Sequence, residues 1–143
     1  MGAERQYVVF RLDGQRYGAP IDVVREVNYM TPITRLPNTP PYVDGVIDLR
    51  GEILPVVNLR ARLNLAVRAN DTETRLMILN LGDRSSALVV DGVEHVLDVR
   101  EEEITAQEPG VILPGEDYVL GTARAEGGLV VILDLDRLMS NTL

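Results

Sequence analysis

The sequence contains no cysteine, tryptophan or lysine, and only one phenylalanine and one histidine. Without cysteine, disulfide bonds, thiolate metal sites and cysteine nucleophiles are excluded. Aromatic residues make up only 4% of the chain, so the core must be built from valine, isoleucine and leucine, which favour β-strands. No apolar run approaches the roughly 20 residues that span a bilayer, and the N-terminus has no signal-peptide pattern. We therefore expect a soluble, cytoplasmic protein that does not insert into a membrane.

Positive charge is also scarce in this chain. The 14 arginines are outnumbered by 22 aspartates and glutamates, which gives a net charge of −8. Nucleic acids and anionic membranes attract positive surfaces, so both are disfavoured as partners. A length of 143 residues suits one compact domain or two small subdomains that share an interface. The balance of 45% apolar and 25% charged residues is typical of a globular protein.

The two halves of the chain follow one pattern. The segment 10–24 aligns with 79–93 at an offset of 69 residues. Further on, an offset of 76 residues pairs turn glycines and polar residues that precede short helices: Gly45 with Gly121, Gly51 with Gly127, and Asn58 with Asp134. The sequence therefore predicts two copies of one small β unit, subdomain 1 over about 6–68 and subdomain 2 over about 73–140.

Alternating apolar residues and turn signals predict five strands and one short helix in each copy. The first copy is predicted to have strands over 7–12, 16–19, 24–29, 46–49 and 53–57, and a helix over 59–65. The second copy is predicted to have strands over 76–81, 87–90, 95–99, 118–123 and 129–133, and a last helix that Asp134 caps and that runs to about 139. Hairpin turns are expected at Asp13-Gly14, Arg50-Gly51-Glu52, Ser85-Ser86 and Gly127-Gly128. Short strands with regular turns indicate small barrels, and neither copy alone would bury much core.

Few residues could carry chemistry. His95 with Ser85 or Ser86 and Asp91 forms the one candidate hydrolase triad, although a solvent-facing histidine is the favoured interpretation. The acidic residues are scattered rather than spaced for calcium or zinc, and there is no phosphate-binding loop. We therefore expect no catalytic residue, metal or cofactor. The run Glu101–Glu103 is interpreted as a solvated face or a helix start rather than a docking patch.

The segment from Gly45 to Arg60 is the most distinctive part of the chain. It predicts two apolar strands joined by a tight turn, in which Gly51 supplies the positive φ that a hairpin needs, and Asn58 is a predicted helix N-cap. Arg50 at this turn is either a structural residue or an anchor at a protein contact, where its planar guanidinium offers five donors. Apolar surface left at barrel ends or between barrels would suit a protein partner.

Several of these segments resemble the CheW family, the coupling proteins of bacterial chemosensory arrays. The resemblance covers essentially residues 6–140 and is strongest at 17–18, 24–27, 33–40, 45–60, 89–93 and 132–135. It implies an all-β fold of two SH3-like five-stranded barrels packed together, with short helices. It further implies a non-enzymatic adaptor, monomeric in isolation. Its implied partners are the regulatory domain of a CheA-type histidine kinase and the cytoplasmic tip of a chemoreceptor.

The resemblance also assigns site residues by position. Four residues match the main kinase-facing barrel end: Glu26, Val27, Ile33 and Thr34. The loop 109–113 corresponds to a second kinase contact, although its sequence, which includes Val111, Ile112 and Leu113, departs from the family pattern. The receptor-facing positions are Val24, Gly45, Arg50 and, as a looser match, Leu76.

Two other functions compete with this interpretation. The same module occurs fused to a receiver domain, inside the kinase, and in chemosensory systems that control surface motility or second messengers. This chain shows no receiver or kinase segment, which favours a stand-alone coupling protein. A small-ligand sensor that uses the cleft between the barrels is the second alternative, and it would require polar groups that converge in an apolar cavity.

Overall fold

The computed structural model describes residues 3–106 and 116–140. Five strands and a short helix occur twice in succession, as the two sequence offsets predict. The first set is β1 (Glu4–Leu12), β2 (Gln15–Pro20), β3 (Val24–Tyr29), β4 (Val43–Leu49), β5 (Glu52–Asn58) and α1 (Leu59–Arg62). The second set is β6 (Arg75–Leu81), β7 (Arg84–Val90), β8 (Gly92–Arg100), β9 (Val119–Ala125), β10 (Gly128–Leu133) and α2 (Leu135–Leu138).

The strands form two five-stranded sheets, so the predicted all-β fold of two five-stranded barrels is confirmed. One sheet has the order β8-β1-β2-β10-β9 and is called the β1 barrel here. The other has the order β3-β6-β7-β5-β4 and is called the β6 barrel. Within each barrel the strands pair antiparallel, except that β2 runs parallel to β10 and β5 runs parallel to β7.

Each barrel combines strands from both copies of the repeat. The hairpin β1–β2 of the first copy joins β8, β9 and β10, and the hairpin β6–β7 of the second copy joins β3, β4 and β5. The predicted subdomain bounds, 6–68 and 73–140, therefore follow the repeat and not the barrels. The physical reason is that the chain leaves β2 through a 3₁₀ turn at Ile21–Val23 and enters the other sheet, instead of folding back on its own hairpin.

One backbone bridge closes each sheet, and the two bridges lie at matching places in the repeat. In the β6 barrel, the loop after β3 returns to β4, where Thr34 and Val46 exchange two N–H···O=C bonds of 2.9 Å. In the β1 barrel, Thr105 and Thr122 exchange two such bonds of 2.8 Å. Gly45 has a φ of +144°, and a Cβ at this position would collide with the Thr34 carbonyl, so this close approach requires glycine.

Several predicted boundaries need correction. The turn between β6 and β7 lies at residues 82–83, so Ser85 and Ser86 are strand residues rather than the predicted turn. The turn before β10 is at residues 126–127, one residue earlier than predicted. α1 ends at Arg62 rather than near residue 65. The run Glu101–Glu103 is an exposed 3₁₀ turn.

Both predicted helix caps are confirmed. The Asn58 side chain accepts a hydrogen bond from the Ala61 N–H at 3.2 Å. In the second copy, the Asp134 carboxylate accepts one from the Arg137 N–H at the same distance. Each cap satisfies one of the backbone donors that a helix leaves unpaired at its N-terminus, which explains why such short helices begin where they do.

Among residues 3–106 and 116–140, three apolar clusters make up the core. One lies within the β6 barrel, around Leu76 and Ile78, and another within the β1 barrel, around Val9 and Ile132. The third and largest draws on both barrels and both helices, with members such as Phe10, Tyr17, Val57, Met77 and Leu135. Burial raises the pKa of Tyr17 to about 12, consistent with its place in this cluster. The barrels therefore share one core and do not merely touch.

In the described part of the chain, no helix is long and apolar enough to cross a membrane.

Candidate protein-binding surface

Arg50 occupies a turn that is unusual for its residue type. Arg50 and Gly51 form the two-residue connection between β4 and β5, with φ angles of +50° and +89°. Positive φ at both positions matches the twist of the hairpin but is unfavourable for a residue with a Cβ. The Asp48 carboxylate accepts a hydrogen bond from the Gly51 N–H at 2.8 Å, which stabilises the turn. The Arg50 side chain is 63% exposed.

The partner of Arg50 is Glu26 on β3, not Asp48 or Glu52, its acidic neighbours in the sequence. The guanidinium donates two hydrogen bonds, from Nη2 to Glu26 Oε2 at 2.6 Å and from Nη1 to Glu26 Oε1 at 3.2 Å. Arg25 donates from Nη1 to Glu52 at 2.9 Å, and its Nε lies 3.5 Å from Glu26. We call Arg25, Glu26, Arg50 and Glu52 the charged cluster. It links β3 to both sides of the β4–β5 turn.

The electrostatics of the charged cluster favour its ionised form. The side-chain hydrogen bonds from Arg50 are the largest influence on Glu26 and lower its pKa, and the same bonds raise the pKa of Arg50. Because both side chains lie at the surface, water and salt screen the pair, and its effect on the stability of the fold is small. A bidentate pair does, however, fix the direction of both side chains. The cluster therefore presents a defined pattern of charge at the surface.

The loop between β3 and β4 brings two predicted kinase-facing residues to one end of the β6 barrel. Ile33 is partly buried and packs against the core of that barrel, and Thr34 is exposed beside it. The Thr34–Val46 bridge holds this loop, and Gly45 makes the close approach possible. Gly45 is itself buried, so its contribution to any surface is to place its neighbours.

The register of β3 against β6 divides the remaining candidates between two faces. Residues directly opposite each other in an antiparallel pair point to the same side of the sheet. Val24 lies opposite Leu79 and Val27 opposite Met77, on the side that packs in the shared core. Glu26 lies opposite Ile78, on the side of the barrel's own core. Because the register shifts between Val24 and Glu26, Val27 shares its face of β3 with Val24, and the predicted kinase-facing residues Glu26 and Val27 lie on different faces.

Leu76 does not fit the receptor-facing role. It has no exposed surface and belongs to the core of the β6 barrel. A contact through Leu76 would require the barrel to open, so we remove it from the candidate surface. The predicted second kinase contact, Val111, Ile112 and Leu113, lies outside the described residues.

The groups of the candidate hydrolase triad are engaged elsewhere. Arg60 binds both carboxylate oxygens of Asp91, and the Ser85 hydroxyl donates to Asn80 at 2.6 Å. The His95 side chain is exposed, with Nδ1 3.9 Å from Glu94. Among the described residues, no group of three or more His, Cys, Asp or Glu side chains is placed to hold a metal ion.

A buried ion pair, which the sequence did not suggest, ties the two barrels together. Arg60 on α1 donates from Nε and Nη2 to Asp91 at 3.0 and 2.7 Å, and its Nη2 is 3.3 Å from Asp13 in the β1–β2 turn. Asp91 lies where the chain crosses from β7 to β8, between the barrels. Burial raises the pKa of Asp91, but the bonds from Arg60 and the Asp13 N–H outweigh it and the pKa is lowered. Arg60 is therefore a structural residue.

The competing ligand-sensor interpretation needs a polar pocket between the barrels. A cavity of about 500 Å³ is lined by β1, β2, β9 and β10 of the β1 barrel and by the 3₁₀ turns Ile21–Val23 and Glu101–Glu103. Its apolar lining includes Tyr7, Ile104 and Leu120. This groove lies on the β1 barrel and not in the cleft between the two barrels. It therefore does not support a small-ligand sensor that uses that cleft.

The fold and the surface together define a class of protein: two interleaved β-barrels with a shared core, which present a charged cluster and exposed apolar side chains such as Val27. The CheW-like domain model matches residues 6–143, and the chain belongs to this family. The chain is similar to the solved crystal structure of scaffolding protein TtCheW from Thermoanaerobacter tengcongensis. The TM-score is 0.87 and the identity 31%, over 96% of this chain and 94% of that one.

Sequence relatives agree with this assignment. The chain is 30% identical over 137 residues to the chemotaxis protein CheW of Klebsiella aerogenes, a match that covers 96% of this chain and 82% of the relative. It is 32% identical over 132 residues to the chemotaxis protein CheW of Bacillus subtilis, which covers 92% and 85%. It is also 31% identical over 124 residues to protein FrzA of Myxococcus xanthus, which covers 87% and 77%. The family is one of scaffolding and adaptor proteins.

Proposed function

We propose that this protein is a non-enzymatic cytoplasmic adaptor that couples chemoreceptors of the methyl-accepting type to a CheA-type histidine kinase. The observation that carries the proposal is the Glu26–Arg50 pair. It joins a residue that the family resemblance places toward the kinase to one that it places toward the receptor. Since the pair is exposed and contributes little to stability, its fixed geometry is better explained by partner binding.

The proposed kinase contact is the end of the β6 barrel. Glu26 supplies charge at its rim, Ile33 supplies apolar surface, and Thr34 lies beside it on the loop held by the Thr34–Val46 bridge. Protein interfaces commonly combine a small apolar centre with a polar rim, and this arrangement suits a folded domain. The loop that contains Val111, Ile112 and Leu113 is proposed as the second kinase contact on the basis of the resemblance alone.

The proposed receptor contact lies on the other face of β3. Val24 packs at the margin of the core shared by the barrels, and Val27 continues the same face into solvent. The resemblance also assigns Gly45 and Arg50 to the receptor, but Gly45 approaches Thr34 and Arg50 bonds to Glu26, so both adjoin the proposed kinase contact rather than this face. The receptor would therefore bind along the edge of the seam where the two barrels meet.

Affinity capture from extract of the source organism tests this function directly. The tagged protein should recover a CheA-type kinase and methyl-accepting receptors, identified by mass spectrometry. A matched capture with the Ile33→Asp variant should lose the kinase and retain the receptors. Recovery of neither partner by the unmodified protein would contradict the proposal.

A chemosensory system with another output is the second candidate. The similarity to protein FrzA, which is not named as a chemotaxis protein, is the observation in its favour. The adaptor role would be the same, and only the response controlled by the kinase would differ. Deletion of the gene, followed by separate assays of swimming, surface motility and second-messenger concentration, would distinguish the two outputs.

A further inference from the structure

An apolar strip continues from the shared core onto the surface of β3. Val27 is 39% exposed and Tyr29 is 75% exposed, and both lie on the face of β3 that carries Val24. Opposite them on β6, Met77 is fully buried in the shared core and Arg75 is partly exposed. The strip is therefore the uncovered end of the surface through which the β6 barrel contacts the β1 barrel. Large exposed apolar groups next to a buried seam are typical of a binding surface.

Tyr29 is held in place although it is exposed. The Arg75 guanidinium lies 4.5 Å from the centre of the Tyr29 ring, a favourable cation–π arrangement. Arg75 is fixed in turn, because its Nη1 donates to the Thr72 and Thr74 carbonyls at 2.8 and 2.9 Å. A side chain that is already ordered loses less conformational freedom when it is bound. Tyr29 is thus a pre-organised aromatic group on an edge strand.

The repeat provides an internal comparison. The residues of the β1 barrel that match Arg75 and Tyr29 are Gln6 and Asp98, which are likewise paired across two strands. Gln6 Nε2 donates to the Asp98 carboxylate at 2.8 Å. Val96, which matches Val27, is 45% exposed. The two barrels therefore carry equivalent strips that differ mainly at one cross-strand pair, which is the cation–π pair of Tyr29 and Arg75 in the β6 barrel and the hydrogen-bonded pair of Gln6 and Asp98 in the β1 barrel.

We propose that Tyr29, ordered by Arg75, is a specificity-determining contact for the helical hairpin at the receptor tip, and that it selects the seam edge at β3 over the equivalent edge at β8. The proposal rests on the proposed adaptor function. An amphipathic helix presents apolar side chains at intervals of three and four residues and binds in apolar grooves. Val24, Val27 and Tyr29 supply such a surface, whereas the hydrated carboxylate of Asp98 would have to be desolvated.

Binding measurements with two probes test this proposal. The probes are the soluble cytoplasmic hairpin fragment of a methyl-accepting receptor and the isolated regulatory domain of the CheA-type kinase, both from the source organism. Tyr29→Ala should weaken binding of the receptor fragment by about tenfold or more, as expected for an aromatic anchor. Tyr29→Phe should retain affinity because the ring makes the contact. Arg75→Gln should weaken binding several-fold because the ring loses its support.

The matched control is Asp98→Ala in the β1 barrel, which should leave the affinity for the receptor fragment within about twofold. Thermal melts establish that each variant is folded. Unchanged receptor binding by folded Tyr29→Ala overturns the proposal, and so does a loss of kinase-domain binding with receptor binding intact. An unmodified protein that binds neither probe contradicts the proposed function itself, so the two failures are distinguishable.

Discussion

Arg50 combines an unfavourable backbone conformation with an exposed ion pair. A non-glycine residue in the left-handed region costs about 1 kcal/mol, and water and salt screen the surface pair with Glu26 so that it adds little stability. Stability therefore does not explain an arginine at this turn. Of the two alternatives left open by the sequence, structural residue or protein anchor, we propose the anchor.

We therefore predict that Arg50→Ala keeps its thermal stability but fails to couple receptor state to kinase activity. Arg50→Lys should restore coupling poorly, because an ammonium group cannot form the two parallel bonds that Glu26 now accepts. The measurement is kinase activity in a reconstituted array of receptor, adaptor and kinase, alongside a thermal melt. Glu126→Ala, at the matching turn of the second repeat, is the control and should behave as the unmodified protein. Normal coupling by Arg50→Ala would exclude the anchor.

The buried pair of Arg60 and Asp91 should behave in the opposite way. Arg60→Met leaves the largely buried Asp91 carboxylate with only the Asp13 N–H and Arg68 as partners, so it should lower the free energy of unfolding by about 1–3 kcal/mol. The double variant Arg60→Met/Asp91→Leu should recover part of that loss. Urea unfolding of the single and double variants measures the coupling. Additive losses in the double variant would show that the two side chains do not stabilise each other.

The same pair predicts a pH dependence. Because the pKa of Asp91 is lower in the folded protein than in the unfolded chain, its ionised form contributes stability above about pH 4. That contribution is lost as the pH falls through the lowered pKa. Urea unfolding between pH 3 and pH 7 should therefore show a shallower acid loss in Arg60→Met/Asp91→Leu than in the unmodified protein. Equal slopes would contradict this assignment.

At the scale of the element, the loop between β3 and β4 is the part of the β6 barrel that carries the proposed kinase contact. If Ile33 is an apolar anchor there, Ile33→Asp should weaken binding of the kinase regulatory domain by more than about 2 kcal/mol. Calorimetry on the folded variant provides the measurement. Ile53→Asp is a matched control, because Ile53 is 60% exposed on β5 of the same barrel. An affinity unchanged by Ile33→Asp would remove Ile33 from the interface.

At the scale of the whole molecule, the exchange of hairpins makes the two halves dependent on each other. Residues 1–68 contain the β1–β2 hairpin but lack β8 and β10, which pair with its two outer edges. Residues 73–143 contain the β6–β7 hairpin but lack β3 and β5, which pair with its two outer edges. Expressed separately, each half should aggregate or remain partly unfolded. Mixed after denaturation, the two should recover the cooperative melt of the intact chain. A dispersed amide spectrum from either half alone would contradict this prediction.

The sequence allowed the elements to be predicted better than their pairing. Strand positions, the caps at Asn58 and Asp134 and the repeat all follow from local patterns, which is why they could be recognised. The exchange of hairpins depends on which strand edges meet, and the offset of a repeat contains no information about that. The Glu26–Arg50 pair was missed for a similar reason, since its members are close only after β3 and β4 are brought together. Tyr29 was overlooked because only the register shows that it continues the face of Val24.

The interleaved barrels also impose an order on folding during synthesis. Every strand of the β6 barrel has been made once Val90 is complete, so this barrel can close while the rest of the chain is still being translated. The β1–β2 hairpin, although made first, must wait for β10, the last strand of its sheet. During translation at about 5–20 residues per second, the edges of that hairpin stay unpaired for several seconds. A nascent chain with two open edges can pair with a neighbour, so the earliest strands are where chaperone binding would protect this protein most.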